Sequence, residues 1–231
     1  MEERSGGSTL KEAIILAGGW AKRLKPEVMT PKPFLTFKDQ TLLELQLEWL
    51  LAHDFEHVVV AINEQDYKYM LKHHSYLAKT DDFTFSIEKE RLGTGGAVKQ
   101  ALQYTTARVL YVMNVDDIVD YDPNELLENL GRGGTILVQQ TRLPYGVVYF
   151  DYKNEVLRFE EKPFTSYWVS CGHYALKRRV IKKYFPEKGD LELCVWQDMA
   201  RDHLLKVYKL RGRWVTINTY KDYEKVLKEL E

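Results

Sequence analysis

The segments of this 231-residue chain able to do chemistry are short, and the densest runs over residues 13–35. A buried-strand type of run, Ala13-Ile14-Ile15-Leu16-Ala17, empties into adjacent glycines, Gly18 and Gly19, and the loop beyond carries Lys22, Arg23, Lys25 and Lys32. Bare glycine backbone lets N–H groups approach an anion, and clustered cations beside it favour phosphate. The pattern is not the dinucleotide GxGxxG, which needs a third glycine, nor a P-loop, which needs Gly-Lys-Ser/Thr. Taken alone, it also reads as a tight turn beneath a basic surface. A second apolar run, Val112 to Val115, ends in Asp116 and Asp117. Carboxylates at a strand end beside a phosphate loop suit Mg²⁺, a hard ion that takes a few protein oxygens and keeps phosphate and water as its other ligands. Asp116 is the favoured ligand, and an exposed turn of Asp116, Asp117, Asp120 and Asp122 ahead of Pro123 is the bland alternative.

Two further segments carry weaker signals. Gly93-Thr94-Gly95-Gly96-Ala97 opens a helix, and its glycines would let a flat base or a sugar lie on bare backbone near a helix N-terminus. Gly146 and the pair Glu161-Lys162 fall at strand ends in the second half. A carboxylate there suits sugar hydroxyls and an ammonium suits a phosphate, although an exposed Glu-Lys pair is usually only surface. Other conspicuous residues read as structural. His73-His74 sit on a polar helix without a matching ligand pair, Trp196 and Trp214 read as core, and Cys171 and Cys194 read as small buried apolar residues. Trp20 either packs beneath the phosphate loop or caps a base.

The elements that must position these residues alternate. Strand candidates at 13–17, 57–62, 83–88 and 108–113 are separated by helices expected at 41–53, 64–74 and 97–104, the first opened by a Thr41/Glu44 capping-box spacing. Such a rhythm predicts an α/β fold: a mostly parallel sheet flanked by helices on both faces, with ligands at the carboxyl ends of the strands. After Pro123 the texture turns to strands at 135–140, 147–151, 156–159 and 167–176, read as a strand-rich lid, before helices return at 191–205 and 221–230. Residues 1–10 read as a flexible N-terminus and 11–231 as one compact unit.

Composition narrows the field. Thirty-three Lys and Arg against 34 Asp and Glu leave a formal net charge of -1, so no nucleic-acid or membrane surface is expected. Two distant cysteines without a CxxC exclude a disulfide scaffold or zinc ribbon and fit a reducing cytoplasm.

In this order, the segments resemble the sugar-1-phosphate nucleotidyltransferases, closest in feel to mannose-1-phosphate guanylyltransferase-like members. The family's Gly-Gly-x-Gly-Thr-Arg-Leu and Pro-Lys-Pro stand here as Gly18 to Leu24 and Pro31-Lys32-Pro33, its Leu-Gly-Thr-x-Gly as Leu92 to Gly96, its Asn-Gly-Asp as Asn114-Val115-Asp116, and its Glu-Lys-Pro as Glu161-Lys162-Pro163. The resemblance implies NTP and a sugar 1-phosphate as substrates, giving NDP-sugar and pyrophosphate, with GTP and a manno-type sugar as the first expectation. It implies Arg23, Lys32 and Lys162 as the catalytic cations and Asp116 as the Mg²⁺ ligand. Leu16, Ala17, Gly18, Gly19, Lys22, Gly93, Thr94 and Gly95 would meet the nucleotide, and Gly146, Glu161 and Ser170 the sugar. It also implies that residues 11–231 form one cytoplasmic catalytic domain with a Rossmann-like, mostly parallel mixed sheet flanked by helices and a strand-rich sugar-binding lid, and it leaves room for a homo-oligomer. The chain departs from the pattern near its end, where Thr216 stands in place of a second metal-binding aspartate and Asn218 in place of a relative's alternative acid. Ala21-Lys22 also replace the usual Gly-Thr, and Ser170 an Asn. A catalytically silent sugar-nucleotide-binding homologue is the alternative reading, while a nicotinamide-dependent dehydrogenase lacks its glycine fingerprint.

Overall fold

The protein is described by a computed structural model covering residues 10–18, 30–81 and 83–230. Residues 1–9 of the expected loose start lie outside the described residues, as do Gly19, Trp20, Ala21, Lys22, Arg23 and Lys25. The first strand, β1 (Glu12–Leu16), is buried along its whole length. Ala13 and Ile15 enter the core on one side of the sheet and Ile14 and Leu16 the core on the other, the two-residue period of a strand covered on both faces.

A small hairpin of β2 (Thr36–Phe37) and β3 (Gln40–Thr41) leads into α1 (Leu42–Ala52). The expected capping box is present: the Thr41 hydroxyl accepts from Glu44 N at 3.2 Å, and the Glu44 carboxylate accepts from Thr41 N at 2.8 Å. There follow β4 (His57–Asn63), α2 (Glu64–His73), β5 (Phe83–Glu88), α3 (Gly93–Ala101) and β6 (Val109–Asn114). The second half continues through β7 (Asp117–Val119), α4 (Pro123–Glu128), β8 (Gly134–Arg142), β9 (Val147–Phe150), β10 (Val156–Glu160) and β11 (Phe164–Lys177). It closes with α5 (Arg178–Tyr184), α6 (Trp196–Arg201), β12 (Leu205–Lys209), β13 (Trp214–Thr216) and α7 (Tyr220–Leu230).

Seven strands form the central sheet in the order β12-β8-β11-β6-β1-β4-β5. All neighbours are parallel except β11, which runs antiparallel to both β6 and β8. Helices α1, α2, α4 and α7 contribute side chains to one face and α3, α5 and α6 to the other. The chain moves outward from β1 to β4 and β5, then returns to place β6 on the other side of β1. Between the carboxyl ends of β1 and β6 lies the point where strand order reverses, the crevice in which open α/β sheets hold ligands.

Three expectations are adjusted by the structure. The strand-rich second half mostly widens the central sheet through β8, β11 and β12, while β9 and β10 pair with each other and β13 pairs with β7. The helix expected over 191–205 is a π-turn at Leu191–Val195 followed by the short α6, because 205 onward pairs with β8 as an edge strand. Cys171 is buried but Cys194 is exposed, since the π-turn presents it outward.

Candidate active site

Gly18 leaves β1 at the crevice. A Cβ placed on it would come within 2.8 Å of Glu88 Oε1 and 3.3 Å of the Asn63 backbone nitrogen, so a side chain here would push the Glu88 carboxyl aside and crowd the end of β4. Asn63, the last residue of β4, donates from Nδ2 to the Gly18 carbonyl at 3.2 Å while its Oδ1 caps α2 at Asp66 N. One side chain thus pins the start of the glycine loop to a helix N-terminus. Leu16, Gly18, Asn63, Glu88, Gly93, Thr94 and Asp116 all line a single cavity of about 730 Å³.

The glycines of the 93–96 run divide between two tasks. Gly93 adopts φ +75°, and a side chain there would strike Asp190 and Gly189. Gly95 and Gly96 donate their N–H groups to the Gly189 carbonyl at 2.9 and 3.2 Å, and Gly96 has no room for a Cβ against Glu187. These two glycines let α3 dock on the 187–191 segment, whereas Gly93 and Thr94 face the cavity. Gly95 lies outside the cavity lining, as does Ala17, whose N–H continues the ladder to the Ala61 carbonyl.

On the other wall, Asp116 is held by backbone on every side. Val115 N donates to Leu16 O at 3.1 Å, Ile217 N donates to Asp116 O at 3.0 Å, and Gln46 Nε2 reaches both Val115 O and Asp117 O. Beneath the loop, His173 is fully buried. Its Nε2 faces the Asp117 carbonyl at 3.0 Å, so it carries the proton, and Nδ1 accepts from the Tyr111 hydroxyl at 2.6 Å. Burial pushes this imidazole down to about 4, which keeps it neutral and fixes the tautomer. Tyr121 completes the chain by donating to Tyr111 at 2.7 Å.

Lys32 arrives on a single 3₁₀ turn, Lys32–Phe34, bounded by Pro31 and Pro33 and anchored by buried Phe34, which stacks on Tyr69 and His74. Its Nζ lies 2.6 Å from Asp116 Oδ2, with both side chains largely sheltered. The two residues expected to handle phosphate and metal are therefore in direct contact.

Asp117 is committed elsewhere. Its carboxylate accepts from Asn114 Nδ2 and Trp214 Nε1, both at 2.9 Å, and from the Thr216 hydroxyl, and Gly172 at φ +73° leaves it the space. Burial, reinforced by the Asp116 charge, pushes its carboxyl up to about 6. Thr216 stands directly opposite Asp117 in the β7–β13 ladder and accepts from Asn218 Nδ2 at 3.1 Å. Among the described residues no group of three or more His, Cys, Asp or Glu converges on a point where an ion could sit. With Asp116 paired to Lys32 and Asp117 saturated by donors, these residues do not fit a self-standing divalent-metal site.

The residues expected to meet sugar lie apart from the cavity. Glu161 and Lys162 are exposed beside the β9–β10 hairpin, 3.6 Å from each other, with Lys162 at φ +47° and its carbonyl held by Arg142 Nη1 at 3.2 Å. Gly146 is half-buried under the Phe159 ring, and Ser170 is exposed on β11, with Oγ 3.2 Å from the Tyr174 hydroxyl. Sequence reasoning missed Glu88, Asn63, Gln46 and His173. The first two end apolar strands, as Asp116 follows one, and a histidine inside the run Cys171 to Leu176 signals a buried polar contact.

The open, mostly parallel sheet with a glycine-lined crevice at its strand reversal defines a doubly wound α/β protein of the kind that holds ligands there. The nucleotidyl transferase family profile matches residues 12–231, and the chain belongs to that family. It is 31% identical over 223 residues to the mannose-1-phosphate guanylyltransferase catalytic subunit beta of Drosophila melanogaster, covering 91% of this chain and 60% of that one. To mannose-1-phosphate guanyltransferase of Schizosaccharomyces pombe it is 32% identical, covering 92% and 62%. It thus spans about 60% of the length of these curated relatives. The crystal structure of HddC from Yersinia pseudotuberculosis superposes with a TM-score of 0.75 at 25% identity, covering 96% of this chain and all of that one. Nucleotidyl transferases of this kind generally use a divalent metal.

Proposed function

We propose that residues 11–231 act as one catalytic unit that transfers a nucleotidyl group from an NTP to a sugar 1-phosphate. The observation that carries this reading is the contact between Lys32 and Asp116 at the rim of a cavity shared with Gly18, Gly93 and Thr94. A phosphate oxygen of the sugar phosphate attacks the α-phosphorus in line, the new P–O bond forms as the α–β bridge breaks, and pyrophosphate leaves with the electron pair. No protein nucleophile is required. The chain's part is to hold two anions together and to offset the charge growing on the leaving group. Lys32 supplies a sheltered ammonium for the triphosphate, which takes over as its partner from Asp116. Lys162 meets the sugar phosphate, with Glu161, Gly146 and Ser170 around the sugar, and Arg23 and Lys22 extend the cation loop. Any Mg²⁺ would be held chiefly by the triphosphate, whose charge it would offset, with Asp116 as the protein carboxylate available to it.

GTP is the favoured nucleotide and a manno-type sugar 1-phosphate the favoured acceptor, as the names of the guanylyl-transferring relatives suggest. Glu88 supports the first choice. Its carboxyl is buried in the cavity wall with the Leu92 N–H as a donor, and burial pushes it up to about 7. Once ionised, above about pH 7, its carboxylate offers acceptors that match the adjacent N1–H and N2–H donors of guanine. No helix among the described residues is long and apolar enough to cross a membrane, and a cytoplasmic setting fits the reaction. The test is pyrophosphate release with Mg²⁺ and every NTP crossed with a panel of sugar 1-phosphates. Release from one pair, abolished by Lys32→Ala and Lys162→Ala, supports the enzyme. Silence across the panel, with tight NDP-sugar binding by calorimetry, moves the reading to a non-catalytic homologue.

A further inference from the structure

The core beneath the Asp116–Asp117 turn holds a line of polar groups among apolar ones. Tyr111 and His173 are both fully buried, and Tyr121 is half-buried at the outer end. The line runs one way: the Tyr121 hydroxyl donates to Tyr111, Tyr111 donates to His173 Nδ1 at 2.6 Å, and His173 Nε2 donates to the Asp117 carbonyl at 3.0 Å. Trp49, one turn along α1 from Gln46, packs edge-on against the imidazole with ring centroids 5.9 Å apart. Such a line adds little net stability. Apolar side chains of similar volume at 111 and 173 would remove donor and acceptor together, and the Asp117 carbonyl would still keep Gln46 as a donor.

What the line does supply is a second hold on one peptide group. The Asp117 carbonyl has two lone pairs, and Gln46 Nε2 meets one at 3.0 Å while His173 meets the other. Gln46 also reaches the Val115 carbonyl at 3.1 Å, and Ile217 N donates to the Asp116 carbonyl at 3.0 Å. Three successive carbonyls are thus tied to α1, to β11 and to the residue that follows β13. These ties set the backbone on both sides of Asp116, and with it the direction in which the carboxylate leaves the turn toward Lys32 Nζ, 2.6 Å away. A displacement of about 1 Å at a group that orients substrate costs on the order of 100-fold in rate.

We propose that His173 is a positioning residue, fixed by Tyr111 and acting through the Asp117 carbonyl to aim Asp116 at Lys32. Because this rests on the nucleotidyl-transfer reading of that pair, two measurements are needed, one of them independent of turnover. His173→Leu combined with Tyr111→Phe should leave the melting temperature within a few degrees of the wild type. Steady-state kinetics of that variant should show kcat at least about tenfold lower, with KM for the sugar phosphate within about twofold. His173→Gln, whose amide still donates to the Asp117 carbonyl, should recover most of the lost kcat. Hydrogen exchange read by NMR should find the Ile217 amide at least about tenfold faster in the double variant, while amides of β1 and β4 keep their wild-type rates. If the double variant does not fold, Tyr111→Phe alone, which leaves the imidazole a partner short, reads the same two quantities. Wild-type kcat in a folded variant overturns the proposal, as does unchanged exchange at Ile217. A kcat loss that His173→Gln fails to recover, in step with a lower melting temperature, makes the residue a packing group and also overturns it. Should the wild type release pyrophosphate from no substrate pair, the assigned reaction is what fails and exchange alone decides: faster exchange at Ile217 supports the hold on the turn, and unchanged exchange refutes it.

Discussion

At the residue scale, the departure at Thr216 changes what the site can do by itself. Among the described residues Asp116 is the acid that Lys32 contacts, and Asp117, opposite Thr216 in its ladder, is saturated by Asn114, Trp214 and Thr216. Calorimetry should therefore find no binding of Mg²⁺ or Mn²⁺ to the nucleotide-free protein at sub-millimolar metal. Thr216→Asp should create such binding, and tight binding to the wild type would refute the account. Glu88 gives a pH prediction. Its folded value near 7 lies above the usual 4.5, so the stability it contributes is full below about pH 4.5 and is lost as pH rises through 7. Glu88→Gln should flatten that decline, recovering roughly 2–3 kcal/mol at pH 8, measured as unfolding free energy against pH. The same variant should narrow the preference for GTP over UTP in binding experiments.

At the element scale, the site depends on how helices are started and docked. The Thr41/Glu44 box opens α1, which sends Gln46 to the Val115 and Asp117 carbonyls. Thr41→Ala should cost about 1 kcal/mol in chemical denaturation. Gln46→Leu should cost more, because it leaves two buried carbonyls short of a donor, at about 1–3 kcal/mol. Helix α3 is docked by glycines rather than by apolar side chains at its first turn, and Gly96→Ala would drive a methyl to 2.5 Å from the Glu187 carbonyl. That variant should lower the melting temperature and weaken nucleotide binding together, since Gly93 and Thr94 ride on the same turn. A loss of binding without loss of stability would show that the glycines serve the ligand directly.

At the scale of the whole molecule, the two ends of the proposed site rest on different supports. The nucleotide end is built on the central sheet at the β1–β6 reversal, whereas Lys162 and Glu161 adjoin an exposed hairpin. Lys162→Ala should therefore leave NTP affinity within about twofold while raising KM for the sugar phosphate at least tenfold, a split that steady-state kinetics and calorimetry read separately. Equal losses for both substrates would contradict this division.

Much of this was legible in one dimension because it depends on local rules. Short continuous apolar runs marked β1, β4 and β6, the Thr41/Glu44 spacing marked α1, and Gly18, Lys32, Asp116 and Gly93 stood out as glycines or charges in the segments that follow strands. The tertiary structure alone decided partnership. That Lys32 meets Asp116 across 84 positions, that Gly95 and Gly96 donate to the Gly189 carbonyl, and that Thr216 faces Asp117 all follow from strand order and register. Spacing along the chain constrains near neighbours through helix and strand periods, but distant contacts are chosen by which faces must be buried together, and only the folded sheet supplies that choice.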